Sequence, residues 1–347
     1  MSQRTLSFTG THIEIGKQIG EQYYAWEKRE VWVPQHAEEY IHTQLKTYES
    51  YFPQYLELLE GIAIALHIDK NKVFKSYLTG FLHIKNITQC SAFAVKSKSD
   101  VFVGRNYDWR ESSEKGSALC TYAFSDSSSL NYRGMTDMGT WQMSTQVLPH
   151  QYVIMLNDAW NEKGLYIALN GSPERDNTIG MATSHAIQAI AEQCTTTEEA
   201  IDMLEKIPLN QSKIFTIADK SGSLAVFEKS LKHGNHVRSS KEFIIATNHY
   251  NHEALLKLNL TIFEQVPFHA TFGTYHYLLY SILSERSTLD VNRIVEILKK
   301  PPTLQNWRGR ANGDTVTTWV SSVNLTTQHF KVVFSPLTED FTEIIEN

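Results

Sequence analysis

Cys90 is the leading candidate for covalent chemistry in this sequence. A lone cysteine is most often a small buried hydrophobe, and it becomes a nucleophile only where a base makes its thiolate. A cysteine at a free chain terminus carries such a base, because an α-amino group titrates at ~7.7–8.0 and can take the thiol proton near neutral pH. Cys120 and Cys194 stand in no motif and read as buried thiols. Three widely spaced cysteines fit neither a disulfide framework nor a zinc knuckle. His249 and His252 have ligand-like spacing, but no H-E-x-x-H run or nearby third ligand supports zinc, so capping or core roles are expected. Trp307-Arg308-Gly309-Arg310 offers two cations that either bind substrate or sit in a solvated loop.

The elements that must position these residues change character at Cys90. Before it the pattern is helical. A short strand-like opening leads into Thr11–Glu30, where Ile13, Ile15 and Ile19 recur at helical spacing and Gly16 and Gly20 allow close packing. Tyr40–Tyr51, Pro53–Leu66 and Lys70–Leu82 follow, with Pro53 well placed at a helix start. From Cys90 the period becomes two. Ser91–Lys96 and Val101–Gly104 predict a hairpin across the turn Lys98-Ser99-Asp100. Tyr152–Leu156 and Leu165–Leu169 predict two more strands, joined by Asn161-Glu162-Lys163-Gly164. Helices are expected at Ala182–Gln193 and Thr197–Lys206, strands at Lys213–Ala218, Leu224–Lys229 and Phe243–Thr247, helices at Phe272–Glu285 and Asp290–Lys299, and a last strand pair at Thr315–Asn324 and His329–Phe334. Hairpins with interposed helices suggest sheet layers covered by helices, and no phosphate-cradling glycine loop supports a nucleotide fold.

Composition sets the outer bounds. The 347 residues are 41 % hydrophobic and 20 % charged, ordinary for a globular protein. Thirty-two basic against 38 acidic residues give a net charge of −6, so no global basic field attracts nucleic acid. No segment approaches a membrane span and the opening MSQRTLSFTG lacks a secretory pattern, so a cytoplasmic location is expected. Triplets such as Asn170-Gly171-Ser172 would then carry no glycan.

Cys90-Ser91-Ala92-Phe93-Ala94 followed by Gly104-Arg105-Asn106-Tyr107-Asp108-Trp109 resembles the opening hairpin of N-terminal-nucleophile hydrolases in the choloylglycine hydrolase and acyl-CoA:6-aminopenicillanate acyltransferase group. Upstream, Phe8 to Gly20 resembles the G-x-x-x-E-x-G-x-x-x-G leader of the acyltransferase branch; downstream, Asn161-Glu162-Lys163-Gly164-Leu165 with Asn170, then Ala246-Thr247-Asn248-His249, follow in the family's order. The resemblance implies an α+β fold, a four-layer αββα sandwich with an N-terminal helical leader. It also implies a precursor that cuts itself between Gln89 and Cys90. Residues 1–89 would be a pro-segment or small subunit and residues 90–347 the catalytic domain.

By the same resemblance, Asp108 would hold the new α-amino group and Arg105 would steady the thiolate or that carboxylate. Asn248 would donate to the tetrahedral oxyanion and Asn170 would occupy a further active-site position. Against these stand plainer readings: a surface hairpin with an ion pair for Arg105 and Asp108, and a turn asparagine for Asn248. Thr274–Tyr277 lacks the arginine of the bile-salt branch, so bile-salt activity is not expected; Arg308, Arg310 and His249 remain as substrate-binding candidates. The implied activity is hydrolysis of linear N-acyl amides through a Cys90 thioester, without cofactor or metal. The alternatives are acyl transfer from a thioester or amide to an amine, and a non-catalytic binding protein on the same scaffold. The partner is a small-molecule acyl compound rather than nucleic acid or membrane, and a homo-oligomer stays open.

Overall fold

The computed structural model describes residues 4–27, 33–80, 82, 89–137, 155–260, 262, 270–307, 315–337 and 342–346. The leader contributes strand β1 (Thr5–Gly10) and helices α1 (His12–Glu27), α2 (Ala37–Tyr51), α3 (Pro53–Leu66) and α4 (Lys70–Thr79). Pro53 occupies the first turn of α3, where its missing N–H costs nothing, and Asp69 caps α4 by accepting from the Asn71 N–H at 3.0 Å. Glycines set the α1–α3 distance. A Cβ on Gly16 would lie 2.0 Å from the Leu58 carbonyl oxygen, and one on Gly61 2.2 Å from that of Ile13. Only hydrogen at both positions lets the two backbones approach this closely.

Two sheets follow. The first runs β1, β4 (Ala118–Phe124), β5 (Tyr132–Thr136), β6 (Leu156–Asn161), β7 (Leu165–Gly171), β8 (Lys213–Asp219), β9 (Leu224–Ser230) and β10 (Gly234–Ser240). Between β7 and β8 the chain forms helices α5 (Thr183–Gln193) and α6 (Thr197–Lys206), the latter opened by a reciprocal capping box between Thr196 and Glu199. The second sheet runs β11 (Phe243–Ala246), β2 (Gln89–Ser97), β3 (Asp100–Trp109), β13 (Thr315–Asn324), β14 (Phe330–Phe334) and β15 (Thr342–Glu346), with the two-residue β12 (Asn306–Trp307) beside β13. Helices α7 (Thr271–Glu285) and α8 (Val291–Leu298) follow, and 3-10 turns at Glu111–Gly116, Glu253–Asn259 and Arg286–Thr288 complete the described elements.

The apolar clusters define four layers. One joins α1, α3, α5 and α6 to the outer face of the first sheet through residues such as Ile15, Leu59, Ile187 and Phe215. A second lies between the sheets and includes Cys90, Ala168, Ile214, Trp319 and Phe334. The third packs Leu278, Ile294 and Leu298 of α7 and α8 on Phe93, Val95 and Val320. This is the expected αββα sandwich.

The predicted elements recur with shifted ends and some additions. The helix expected over Lys70–Leu82 stops at Thr79, and α1 is described to Glu27. The strand expected at Tyr152–Leu156 begins at Leu156 and runs to Asn161; residues 151–154 lie outside the described residues. Strands β4, β5, β10, β12 and β15 carried no clear period in the sequence. In β10 every residue is exposed or half-buried, so no apolar face marks it.

Candidate active site

The β2–β3 hairpin builds the centre. Its register sets Cys90 opposite Tyr107 and Ala92 opposite Arg105, so these four side chains share one face of the sheet. Ala92 is small enough to leave room for the guanidinium opposite it, and Arg105 is fully buried. One Arg105 terminal nitrogen donates to Asn170 Oδ1 and the other to the Leu169 carbonyl at 2.6 Å. Burial works against its charge, but the neighbouring Cys90, Asp158, Tyr166 and Tyr107 hold its pKa above the ordinary value. A permanent cation therefore shares the sheet face of the Cys90 side chain and attracts a negative charge on it.

Two asparagines tie the sheets together around Cys90. Asn170, at the end of β7, donates to the carbonyls of Ala246 and Thr247, each at 3.1 Å, and reaches that of Cys90 at 3.5 Å. Asn248, just after β11, accepts the Cys90 backbone N–H on Oδ1 at 2.7 Å and donates from Nδ2 to the Gly171 carbonyl at 3.1 Å. Its own N–H donates to Thr271 Oγ1 at 2.9 Å. In the continuous chain, then, the atom of Asn248 aimed at Cys90 is its carbonyl oxygen, and the amide donor foreseen for an oxyanion is engaged by Gly171.

Asp108 pairs in register with Gln89, the residue before Cys90, and accepts from Thr317 Oγ1 at 2.6 Å. Burial pushes its carboxyl up to about 8, with Thr317 and Arg105 opposing. His249 lies in a small polar knot, its Nδ1 at 2.9 Å from the hydroxyls of both Thr247 and Thr271, and its ring stacks on Phe272 at 4.2 Å. His252 caps a 3-10 turn by accepting from the Ala254 N–H at 3.3 Å and stands 4.6 Å from the His236 ring. Among the described residues no three His, Cys, Asp or Glu side chains gather as metal ligands. Arg308 and Arg310 lie outside the described residues.

Sequence reasoning missed further charged groups around Cys90. Asp158 in β6 is fully buried beside Arg105 and is pushed up to about 6 by burial, against the pull of Arg105 and Tyr166. Tyr107 donates to Asp137 at 2.9 Å, a second buried carboxylate on this face. Lys213 opens β8 and is 6 % exposed. Each is a single charged residue in or beside an apolar strand, and no spacing signal announces it.

Comparison with known proteins bears on the fold and the family. No curated protein sequence matches the chain. Among solved structures, a variant of the conjugated bile acid hydrolase from Clostridium perfringens is similar over 74 % of this chain and 93 % of its own, with 12 % identity and a TM-score of 0.50. A second variant of that hydrolase gives a TM-score of 0.53 at 12 % identity, covering 74 % and 94 %. Penicillin V acylase from Agrobacterium tumefaciens covers 74 % and 86 % at 16 % identity, with a TM-score of 0.51. At such identities these likenesses establish the fold. Among the described residues no helix is long and apolar enough to cross a membrane. The model of one family, described as acyl-coenzyme A:6-aminopenicillanic acid acyl-transferase, matches residues 95–327, about two thirds of the sequence, and the chain belongs to that family.

Proposed function

We propose that the protein is a self-processing cysteine hydrolase of linear N-acyl amides. The observation that carries this reading is the Cys90 backbone N–H held by Asn248 Oδ1 while the buried Arg105 lies on the same face of the hairpin as the Cys90 side chain. A nitrogen fixed in place next to a sulfur with a cation nearby is what an N-terminal nucleophile needs.

In the processing step the Cys90 sulfur attacks the Gln89 carbonyl carbon. The Gln89–Cys90 amide bond breaks, the nitrogen takes the thiol proton, and a thioester forms. Water then releases the Gln89 carboxylate and restores the thiol. In turnover the freed α-amine takes the thiol proton, the thiolate attacks the substrate amide, and the leaving amine departs with that proton. Water resolves the acyl thioester. Asn248 orients the amine through Oδ1, Asn170 fixes the Cys90 carbonyl, and Arg105 offsets the thiolate charge. Asp108, next to the cut bond, supplies the counter-charge for an α-ammonium. The second N–H of Asn248 Nδ2, beside the one given to the Gly171 carbonyl, serves the oxyanion.

The family description also supports acyl transfer, in which an amine rather than water takes the acyl group from the thioester. The conjugated bile acid hydrolase and penicillin V acylase names favour small amide substrates and the hydrolytic outcome. Denaturing mass spectrometry of purified protein tests the core of the proposal. Two chains divided after Gln89 are expected, and Cys90→Ala should stay one chain without amide turnover. A wild-type protein that remains a single chain with full Cys90-dependent activity would sink the terminal-amine mechanism.

A further inference from the structure

Strand β6 slips its register at one point. Thr136 of β5 lies opposite Leu156 and Met135 lies opposite Asp158, so Asn157 is an extra residue, a β-bulge. The bulge decides which face Asp158 takes. Leu156 packs on the helix side of the first sheet, and strict alternation from it would put Asp158 there too. The extra residue turns Asp158 inward instead, in step with Trp160 between the sheets. There the fully buried carboxylate accepts from the Tyr166 hydroxyl at 3.4 Å.

Asp158 meets Arg105 from two directions. On β7 it pairs with Ala168, and the Arg105 terminal nitrogens rest on the next two residues, Leu169 and Asn170. On the second sheet Ser321 pairs with Arg105, and the Ser321 hydroxyl is among the groups that favour the ionised form of Asp158. Among the described residues Arg105 Nε and one Asp158 oxygen are both buried without a hydrogen-bond partner, a donor and an acceptor of opposite charge in one layer. Arg105 is equally close to the nucleophile: Asn170, which accepts its guanidinium on Oδ1, reaches the Cys90 carbonyl with Nδ2 at 3.5 Å. One cation thus stands between two groups that can carry negative charge.

A buried cation left without counter-charge beside a thiol makes it too acidic, and a thiolate of low proton affinity attacks weakly and leaves readily. We propose that Asp158 is a positioning residue that acts through Arg105: it fixes the guanidinium against β7 and takes up part of its charge, so that Cys90 remains a strong nucleophile. This rests on the catalytic role of Cys90. The charged and titratable groups facing Asp158 are Arg105 on β3 and Tyr166 on β7. Helix α5 covers the other face of β6, with His185 bonded to Tyr48 and Tyr55 and Glu192 to His12. On the Cys90 side stand Arg105 and Tyr107, whose hydroxyl goes to Asp137, while Lys213 of β8 falls on the outer face by alternation from Ile214. Burial pushes the Asp158 carboxyl up to about 6 against Arg105, which leaves it mostly ionised at neutral pH.

Iodoacetamide, an uncharged alkylator, tests this without a known substrate. Its rate of labelling Cys90 is followed by peptide mass across the pH range on purified wild-type protein and on Asp158→Asn, which keeps the shape and removes the charge. The midpoint of the rate curve should fall by about 1 unit in the variant, the effect of losing one nearby like charge. Labelling at low pH then becomes faster than in wild type, while the plateau drops about threefold because a more acidic thiol is the weaker nucleophile. An unchanged or raised midpoint overturns the proposal; uniform slowing at every pH, the mark of a merely structural residue, is one form of that result. The wild-type curve is a test that needs no variant to fold. Its midpoint should lie at about 6 or above, and a lower one, typical of a thiol beside an uncompensated cation, overturns the proposal as well. Amide turnover surviving in Cys90→Ala would instead mark failure of the catalytic reading, while the labelling curves still report on Asp158.

Discussion

Asp108 is where an uncut and a cut chain would differ in electrostatics. In the continuous chain its buried carboxyl titrates near 8, whereas in an unfolded chain it would titrate near ~3.9. Between those values the native state keeps a proton that the unfolded state releases. Stability from this group is therefore full at low pH and is lost as pH rises from about 4 through 8. In the uncut Cys90→Ala background, adding Asp108→Asn should raise the melting temperature relative to its parent at pH 8 and leave it little changed or lower at pH 5. Thermal unfolding of both proteins across that range checks it. A temperature difference that does not vary with pH would mean that the Asp108 carboxyl is already ionised in the uncut chain. Cleavage would place an α-ammonium beside this carboxyl, so processed wild-type protein should show a shallower fall.

At the scale of elements, the leader depends on two helices touching backbone to backbone. Gly16→Ala drives a methyl group into the Leu58 carbonyl, an obstacle that cannot rotate away, and should cost about 1–3 kcal/mol. Gly273→Ala in α7 meets nothing within 4 Å and should stabilise by ~0.5–1 kcal/mol, through helix propensity alone. Opposite signs in urea midpoints are expected; a neutral Gly16→Ala would mean that α1 and α3 separate freely. The Gly16 and Gly20 spacing was legible because it is local to one helix. So was the β2–β3 hairpin, whose turn and alternation lie within twenty residues. Strands β6, β7 and β8 are buried on both faces, which erases the period-two signal, although their apolar runs still marked β7 and β8. Cys90, Arg105, Asn170 and Asn248 could be picked out because motif and type coincide at them. Asp158 could not, because its place beside Arg105 depends on strand order: β6 must lie beside β7, and β7 must face β2 across the sheets.

At the scale of the molecule, the first 80 residues are woven into the body formed by the rest. Strand β1 pairs in parallel with β4, from Thr5 beside Leu119 to Gly10 beside Phe124. His12 contacts Glu192 at 2.7 Å, and Tyr48 and Tyr55 meet the two ring nitrogens of His185 at 2.6 and 2.8 Å. A chain cut after Gln89 should therefore migrate as one complex on size exclusion and part only in denaturant; release of the leader under native conditions would contradict this and make it a discarded pro-segment. The same parallel strand gives processing a direction in time. Before the cut, β1 and β4 find each other as two ends of a loop on one polymer, an intramolecular search whose rate ignores protein concentration. After the cut, that search becomes an encounter between two molecules, so refolding of denatured mature protein slows on dilution while the Cys90→Ala chain recovers at a constant rate. Self-cleavage would thus work as a ratchet, in which the precursor folds easily and the enzyme it yields, once unfolded, has lost its shortest way back.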